Sequence, residues 1–191
     1  MAQRIILASQ SPRRQQLMQA AGFEFDVIPA DPAVEEGVSE ACSAEEYVIR
    51  ASFCKAQAVA LQVECGLILA ADTIAQCNGE KMGKPLDRDD AARMLRSMSG
   101  RQHCVLTGVT LWHRPTDRKI THCEQTVLEM DLIDEVRLQS YLDTGEWVGK
   151  AGAFGYQDGL DWVHIRQGSE SNVVGLPMER IQRWIGQMQS L

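Results

Sequence analysis

Leu67-Ile68-Leu69-Ala70-Ala71-Asp72-Thr73 is a run of five apolar residues cut off by a carboxylate and a hydroxyl. A run this short, without helical spacing, reads as an interior strand covered on both faces, and the break at Asp72-Thr73 predicts its end. A second run of the same kind, Arg4 to Ala8 (RIILA), stops at the polar turn Ser9-Gln10-Ser11-Pro12. Two buried strands separated by helical sequence point to an α/β fold around a sheet. In such sheets ligands collect beyond the carboxyl ends of the strands, and here those ends carry Ser9 to Arg14 and Asp72-Thr73.

Working outward, Ser11-Pro12 is an N-cap followed by a first-turn proline, and Leu17, Met18 and Ala21 give the ensuing helix an apolar face that Gly22 closes. Phe23, Phe25 and Val27 alternate with acids and predict a half-buried strand stopped by Pro29. An acidic loop follows. Ser43-Ala44-Glu45-Glu46 is a capping box opening a helix to about Val63, with Tyr47, Val48, Ala51, Cys54, Ala58 and Leu61 as its expected apolar face. Lys55 projects inside that face. It either snorkels its ammonium to water or aims it into a site, and in the second case Lys55→Met is expected to preserve or raise stability by removing a desolvated charge.

Farther along, Asn78-Gly79 predicts a tight hairpin turn between Thr73 to Cys77 and Glu80 to Met82. Asp87 caps a helix bearing Ala91, Met94, Leu95 and Met98, and Gly100 closes it. Gln102 to Trp112 and Lys119 to Met130 alternate and make an antiparallel pair around Arg114-Pro115-Thr116-Asp117. Asp134 caps a helix with Val136, Tyr141 and Leu142, ended by Gly145. Four glycines (149, 152, 155, 159) then precede a strand from Leu160 to Arg166 and a last helix with Met178, Ile181, Ile185 and Met188 on one stripe. The expected architecture is a mixed twisted sheet with flanking helices. The 191 residues suffice for one sizeable core, as one domain of two packed lobes or as two domains.

Charge narrows the function. Nineteen Lys+Arg against 26 Asp+Glu give −7, a field that repels polyanions, so nucleic acid is not an expected partner. The charge is also segregated: Arg4, Arg13 and Arg14 stand without acids in the first 23 residues, whereas Asp31 to Glu46 holds six acids and no base. Such a pairing suits a phosphorylated ligand arriving with a divalent metal, or is simply two solvated faces. Helix-start amides, the two hydroxyls and the guanidiniums of Ser9 to Arg14 can grip phosphate oxygens. Lys55 and Lys84 add cations, and Glu36 is a carboxylate able to share a metal with Asp72. Asp72 alone reads equally as a metal or water ligand and as a strand-ending carboxylate. Gln157 in the glycine cluster offers a donor and an acceptor to a base edge.

Other chemistries are weakly supported. The six cysteines form no C-x-x-C pair, and His103-Cys104 point to opposite faces of a strand. No G-x-x-x-x-G-K-[ST] occurs. The apolar run from Ile5 to Ala8 is only four residues, too short for a signal peptide or membrane span, so a cytoplasmic location with reduced thiols and no membrane partner is expected.

Seven elements together resemble one family: Leu7-Ala8-Ser9-Gln10-Ser11-Pro12-Arg13-Arg14, Glu46-Tyr47-Val48-Ile49-Arg50 with Lys55-Ala56, Ala71-Asp72-Thr73, Gly83-Lys84-Pro85, Thr107-Gly108, Lys150 to Gln157 (KAGAFGYQ), and Asn172-Val173-Val174-Gly175-Leu176-Pro177. In order and spacing they resemble the Maf family of nucleoside triphosphate pyrophosphatases. The resemblance implies one Maf-like domain over 1–191, with two lobes around a central cleft and a fold related to inosine triphosphatases. It implies hydrolysis of a nucleoside triphosphate to monophosphate and pyrophosphate with Mg²⁺, Mn²⁺ being an alternative, and leaves a homodimer open.

Carried over by motif, Asp72 is the catalytic carboxylate and shares the metal with Glu36, Glu35 being adjacent. Ser9, Arg14, Lys55 and Lys84 handle phosphate. Arg13, Thr73 and Gln157 match the branch that acts on dTTP and UTP, whereas the branch acting on 7-methyl-GTP carries Trp, Gln and Glu there. Gly149-Lys150 departs from the usual Asp-Lys. The family was first described through inhibition of septum formation, so a non-catalytic nucleotide-binding regulator is the reading from another class.

Overall fold

A computed structural model describes residues 4–189. Seven strands form one mixed sheet in the order β2-β1-β3-β5-β6-β7, with β4 pairing to β3. The chain divides into two compact units, residues 1–72, 107–124 and 175–191 in the first and 73–106 and 125–174 in the second.

In the first unit, β1 (Ile5–Leu7) pairs in parallel with β2 (Phe25–Val27) and with β3 (Gly66–Cys77). The alternation of the two apolar runs sorts their side chains cleanly. Ile5, Leu7, Leu67, Leu69 and Ala71 pack with α1 (Pro12–Ala20) and α6 (Met178–Gln189), while Ile6, Ala8, Ile68 and Ala70 pack with α2 (Ala44–Ala60). Both faces are covered, as fully apolar strands require. The expected stripe on α6 is realised: Ile181 and Ile185 are 0% and 2% exposed, each burial stabilising by roughly 1.5–3 kcal/mol. β2 is less buried than its alternation predicts. Val27 is 41% exposed, because β2 lies at the edge of the sheet.

Three local expectations are corrected. β3 does not end at Asp72 but runs twelve residues to Cys77, because its second half finds a new partner: Ala75 to Cys77 pair with β4 (Glu80–Met82) around the left-handed Asn78-Gly79 turn. The strand that does end is β1, so Asp72 stands alongside the polar turn that leaves it. The helix α2 stops at Ala60, and its buried stripe is Ala44, Val48, Ala51, Ser52, Ala56, Val59 and Ala60, whereas Leu61 is 84% exposed. The reason is backbone proximity. A Cβ on Gly108 would overlap the Val48 carbonyl, so α2 packs almost directly on β5 (Gln102–Arg114) through its small side chains. Third, Val136 on α4 (Glu135–Thr144) is 77% exposed, and Leu138 takes the buried position beside Tyr141 and Leu142.

In the second unit, α3 (Arg88–Met98) and α4 pack Ala91, Leu95, Met98, Leu138 and Leu142 into a core shared with Leu128 and Met130 of β6 (Arg118–Met130) and with Phe154 and Trp162. β5 and β6 are neighbours joined by three residues, a link only an antiparallel pair allows. β7 (Val163–Gln167) pairs antiparallel with β6, and the short helix α5 (Glu170–Val174) follows. The glycine-rich segment folds as two short 3₁₀ turns, Ala151–Ala153 and Tyr156–Asp158. Gly152 at φ 70° has its Cβ position occupied by the Ala75 side chain, and its amide donates to the Gly83 carbonyl at 3.0 Å. That bond ties the segment carrying Gln157 to the one carrying Lys84.

Candidate functional site

The parity of β3 determines where Asp72 points. Ile68 and Ala70 face α2, so Asp72, two residues on, faces α2 as well. There it meets Lys55: the ammonium lies 2.7 Å from Asp72 Oδ1 and 2.9 Å from Glu35 Oε1. The Lys55 and Asp72 side chains are each 14% exposed and that of Glu35 28%. Lys55 is therefore not a snorkelling residue. Its long stem runs along the buried edge of α2 and ends between two carboxylates contributed by other parts of the chain.

This changes the expectation for Lys55→Met. The charge is desolvated but doubly paired, and deleting it leaves two carboxylates facing one another, which destabilises rather than stabilises.

The same parity places Ser9. Ala8 packs toward α2, and Ser9 turns to the face of α1. Ser9 Oγ accepts from the Ser11 amide and from Arg14 Nη1, both at 3.2 Å, while Arg14 Nε donates to the Gly175 carbonyl at 2.9 Å. Ser11 caps α1 by accepting from the Arg14 amide. Arg14 is only 9% exposed. Burial lowers its pKa first of all, the nearby Asp72 charge raises it in part, and Arg13 adds to the lowering; a guanidinium remains protonated through all of this. A fixed, desolvated cation that senses Asp72 suits an anion whose charge is shared with a metal. Gly175, in the Asn172-to-Pro177 motif, thus serves through its carbonyl, a role that side-chain reasoning missed.

Tyr47, expected in the apolar face of α2, stands one turn into the helix and is half-buried. Burial, and then the negative charges of Asp72, Glu40 and Glu35, push its hydroxyl up to about 12, so it stays a neutral hydrogen-bonding group beside the carboxylates. A tyrosine at the first turn of a capped helix beside an acidic loop was the available signal.

Glu35 and Glu36 part company. Pro32–Glu35 is a 3₁₀ turn capped by Asp31, with Glu35 aimed at Lys55 and Glu36 exposed at its end. Arg13 is half-buried on α1. Of the expected residues in the second unit, Thr73 is half-buried on β3, Lys84 is exposed after β4, and Gln157 is exposed in its 3₁₀ turn.

A divalent cation fits the first-unit residues. Asp72 and the acidic turn are already held together around one positive charge, and Mg²⁺ is typically bound through one or two carboxylates plus substrate phosphates rather than by an all-protein cage. Among the described residues, no group of three or more His, Cys, Asp or Glu is arranged to hold a metal ion. His103 is 2% exposed and edge-on to Phe154 at 5.3 Å, a core residue, while Cys104 accepts from Gln125 at its Sγ. No helix among the described residues is long and apolar enough to cross a membrane.

The solved structure of a HAM1 protein from Coxiella burnetii matches the fold with a TM-score of 0.54 at 14% identity, covering 99% of this chain and all of that one. A protein of Rhodopirellula baltica called dTTP/UTP pyrophosphatase is 51% identical over 178 residues, 93% of this chain and 78% of the relative. One of the same name from Geotalea uraniireducens is 41% identical, over 91% of this chain and 89% of its own. The family model described as Maf-like protein matches residues 4–188, and the chain belongs to the Maf family.

Proposed function

We propose that this protein hydrolyses dTTP and UTP to the monophosphate and pyrophosphate, a house-cleaning reaction on pyrimidine nucleotides, with Mg²⁺ or Mn²⁺. The observation that carries this is the placement of Asp72 between Lys55 and the neighbourhood of buried Arg14. The carboxylate that this reading makes the proton acceptor, and two of the cations it assigns to phosphate, lie beside the carboxyl end of β1. Two relatives with the dTTP/UTP pyrophosphatase name, aligned over nine-tenths of the chain, support the choice of substrate.

In this reading Asp72 orients a water and accepts its proton as the water oxygen attacks the α-phosphorus. Pyrophosphate leaves with its charge held by Arg14, Ser9, Lys55 and Lys84. The bound cation would neutralise triphosphate charge, with Asp72 and Glu36 as its protein ligands. Gln157 reads the base, since uracil and thymine offer an O4 acceptor and an N3–H donor that one carboxamide answers, and cytosine reverses that pattern. Arg13 and Thr73 support the same preference. Phosphorus NMR of the products tests the reaction. Thymidine monophosphate and pyrophosphate from dTTP are expected, whereas the diphosphate and orthophosphate would refute it.

A further inference from the structure

The glycine-rich segment holds an ion pair that the proposed chemistry does not use. Lys150 is 9% exposed, and its ammonium pairs with the carboxylate of Asp158, eight residues on. Their side chains are 11% and 19% exposed. Lysine is almost never this buried unless paired, so the partner is part of why the segment folds as it does. The pair closes a small loop, and within it Asp158 directly follows Gln157 in the turn Tyr156–Asp158.

Gly155 lies beneath the pair. A Cβ there would overlap both the Asp158 carboxylate and the Lys150 ammonium. Its backbone, at φ −120° and ψ 105°, is one that any residue adopts, so glycine is required for space and not for conformation. The Asp158 amide donates to the Gly155 carbonyl at 3.1 Å, and left-handed Gly159 closes the turn with its amide on the Tyr156 carbonyl. The backbone of Gln157 is thus fixed on both sides while its side chain is exposed.

We propose that Lys150, Asp158 and Gly155 are positioning residues for base selection, their packed ion pair holding the turn so that the Gln157 carboxamide meets the N3–H and O4 edge of uracil or thymine. This rests on the pyrimidine reading of Gln157. Hydrogen-bond discrimination depends on geometry held to about half an ångström, which a loose exposed turn does not provide. Neither charge of the pair is assigned to the phosphates, so its loss acts on base choice and leaves the slow turnover of poor substrates in place.

The test is kcat/KM for UTP, dTTP and CTP, by pyrophosphate release, in the wild type and in Lys150→Met, Asp158→Asn and Gly155→Ala. The last keeps both charges and breaks the pair only by filling its space, so it decides the matter should either charge variant fail to fold. The UTP to CTP ratio is expected to fall at least about fivefold in each folded variant, through a higher KM for UTP, with the CTP constants within about twofold of wild type; where one carboxamide's two hydrogen bonds set discrimination this is a modest loss. Folded variants that keep the wild-type ratio, or that lose all three activities in proportion, overturn the proposal. A wild type that does not prefer UTP and dTTP over CTP overturns the Gln157 reading and this proposal with it, and the two failures are told apart by the wild-type ratio alone.

Discussion

Lys55 Nζ stands 2.7 Å from Asp72 Oδ1, joining a helix to the middle of a twelve-residue strand. The contact follows from two periodicities meeting: every second residue of β3 faces α2, and the small residues of α2 let its backbone approach β5 closely enough for a lysine at its edge to reach across. Glu35 takes the same ammonium from the other side, so one cation fixes the acidic turn to the sheet.

Asp72→Asn keeps the shape and removes the charge and basicity. Lys55 retains Glu35, so the melting temperature should remain close to wild type. Pyrophosphate release should fall by at least about 10² to 10⁴, the usual worth of a general base. Steady-state kinetics on the folded variant check this, and near-normal turnover would remove Asp72 from the chemistry.

Lys55→Met should lower both activity and stability. Removing one partner of a fully buried pair costs about 3–5 kcal/mol, and for these partly solvated carboxylates about 1–3 kcal/mol is expected. Denaturant unfolding gives the stability and turnover assays give the rest. A variant as stable as wild type would mean that water supports Asp72 and Glu35 without the lysine.

Glu35→Gln and Glu36→Gln separate two adjacent carboxylates. Glu35→Gln should loosen Lys55 and reduce stability. Glu36→Gln should leave stability intact and weaken the apparent Mg²⁺ affinity by roughly tenfold or more. Metal titrations of activity decide between them, and the opposite pattern would make Glu35 the metal ligand.

Much of this was readable from the chain, and the failures share a cause. The two apolar runs, the capped helices and the α6 stripe were legible because each is a local pattern of burial. The apolar run stops at Asp72 and so reads as a strand end, although the backbone of β3 continues through it into the hairpin that Asn78-Gly79 predicts, since a polar residue can interrupt an apolar run without ending the strand. The stripe of α2 was rotated because Gly108, sixty residues from Val48, lets the helix settle on small side chains. Lys55 was ambiguous for the same reason: its two partners come from a turn before it and a strand after it. Nothing in the sequence distinguishes Glu35 from Glu36, since that choice depends on which side of one 3₁₀ turn faces Lys55.

Acid stability should carry the signature of His103. Burial pulls its pKa from 6.5 down to about 4 in the folded protein, so the unfolded chain binds more protons between those values. Stability is therefore full above about pH 6.5 and declines as pH falls to about 4, by an amount on the order of 3 kcal/mol. His103→Gln should flatten that limb relative to wild type in melts taken across the window. An unchanged slope would show that other groups set the acid limb.

Pyrophosphate release by the wild-type protein across dTTP, UTP, CTP, ATP, GTP and 7-methyl-GTP bears most directly on the central claim. On the proposed role of Gln157, with about 1–3 kcal/mol lost for each buried group a wrong base leaves unpaired, dTTP and UTP should lead by roughly tenfold or more in kcat/KM. A purine triphosphate or 7-methyl-GTP as the best substrate, or no pyrophosphate from any of the six, would contradict it.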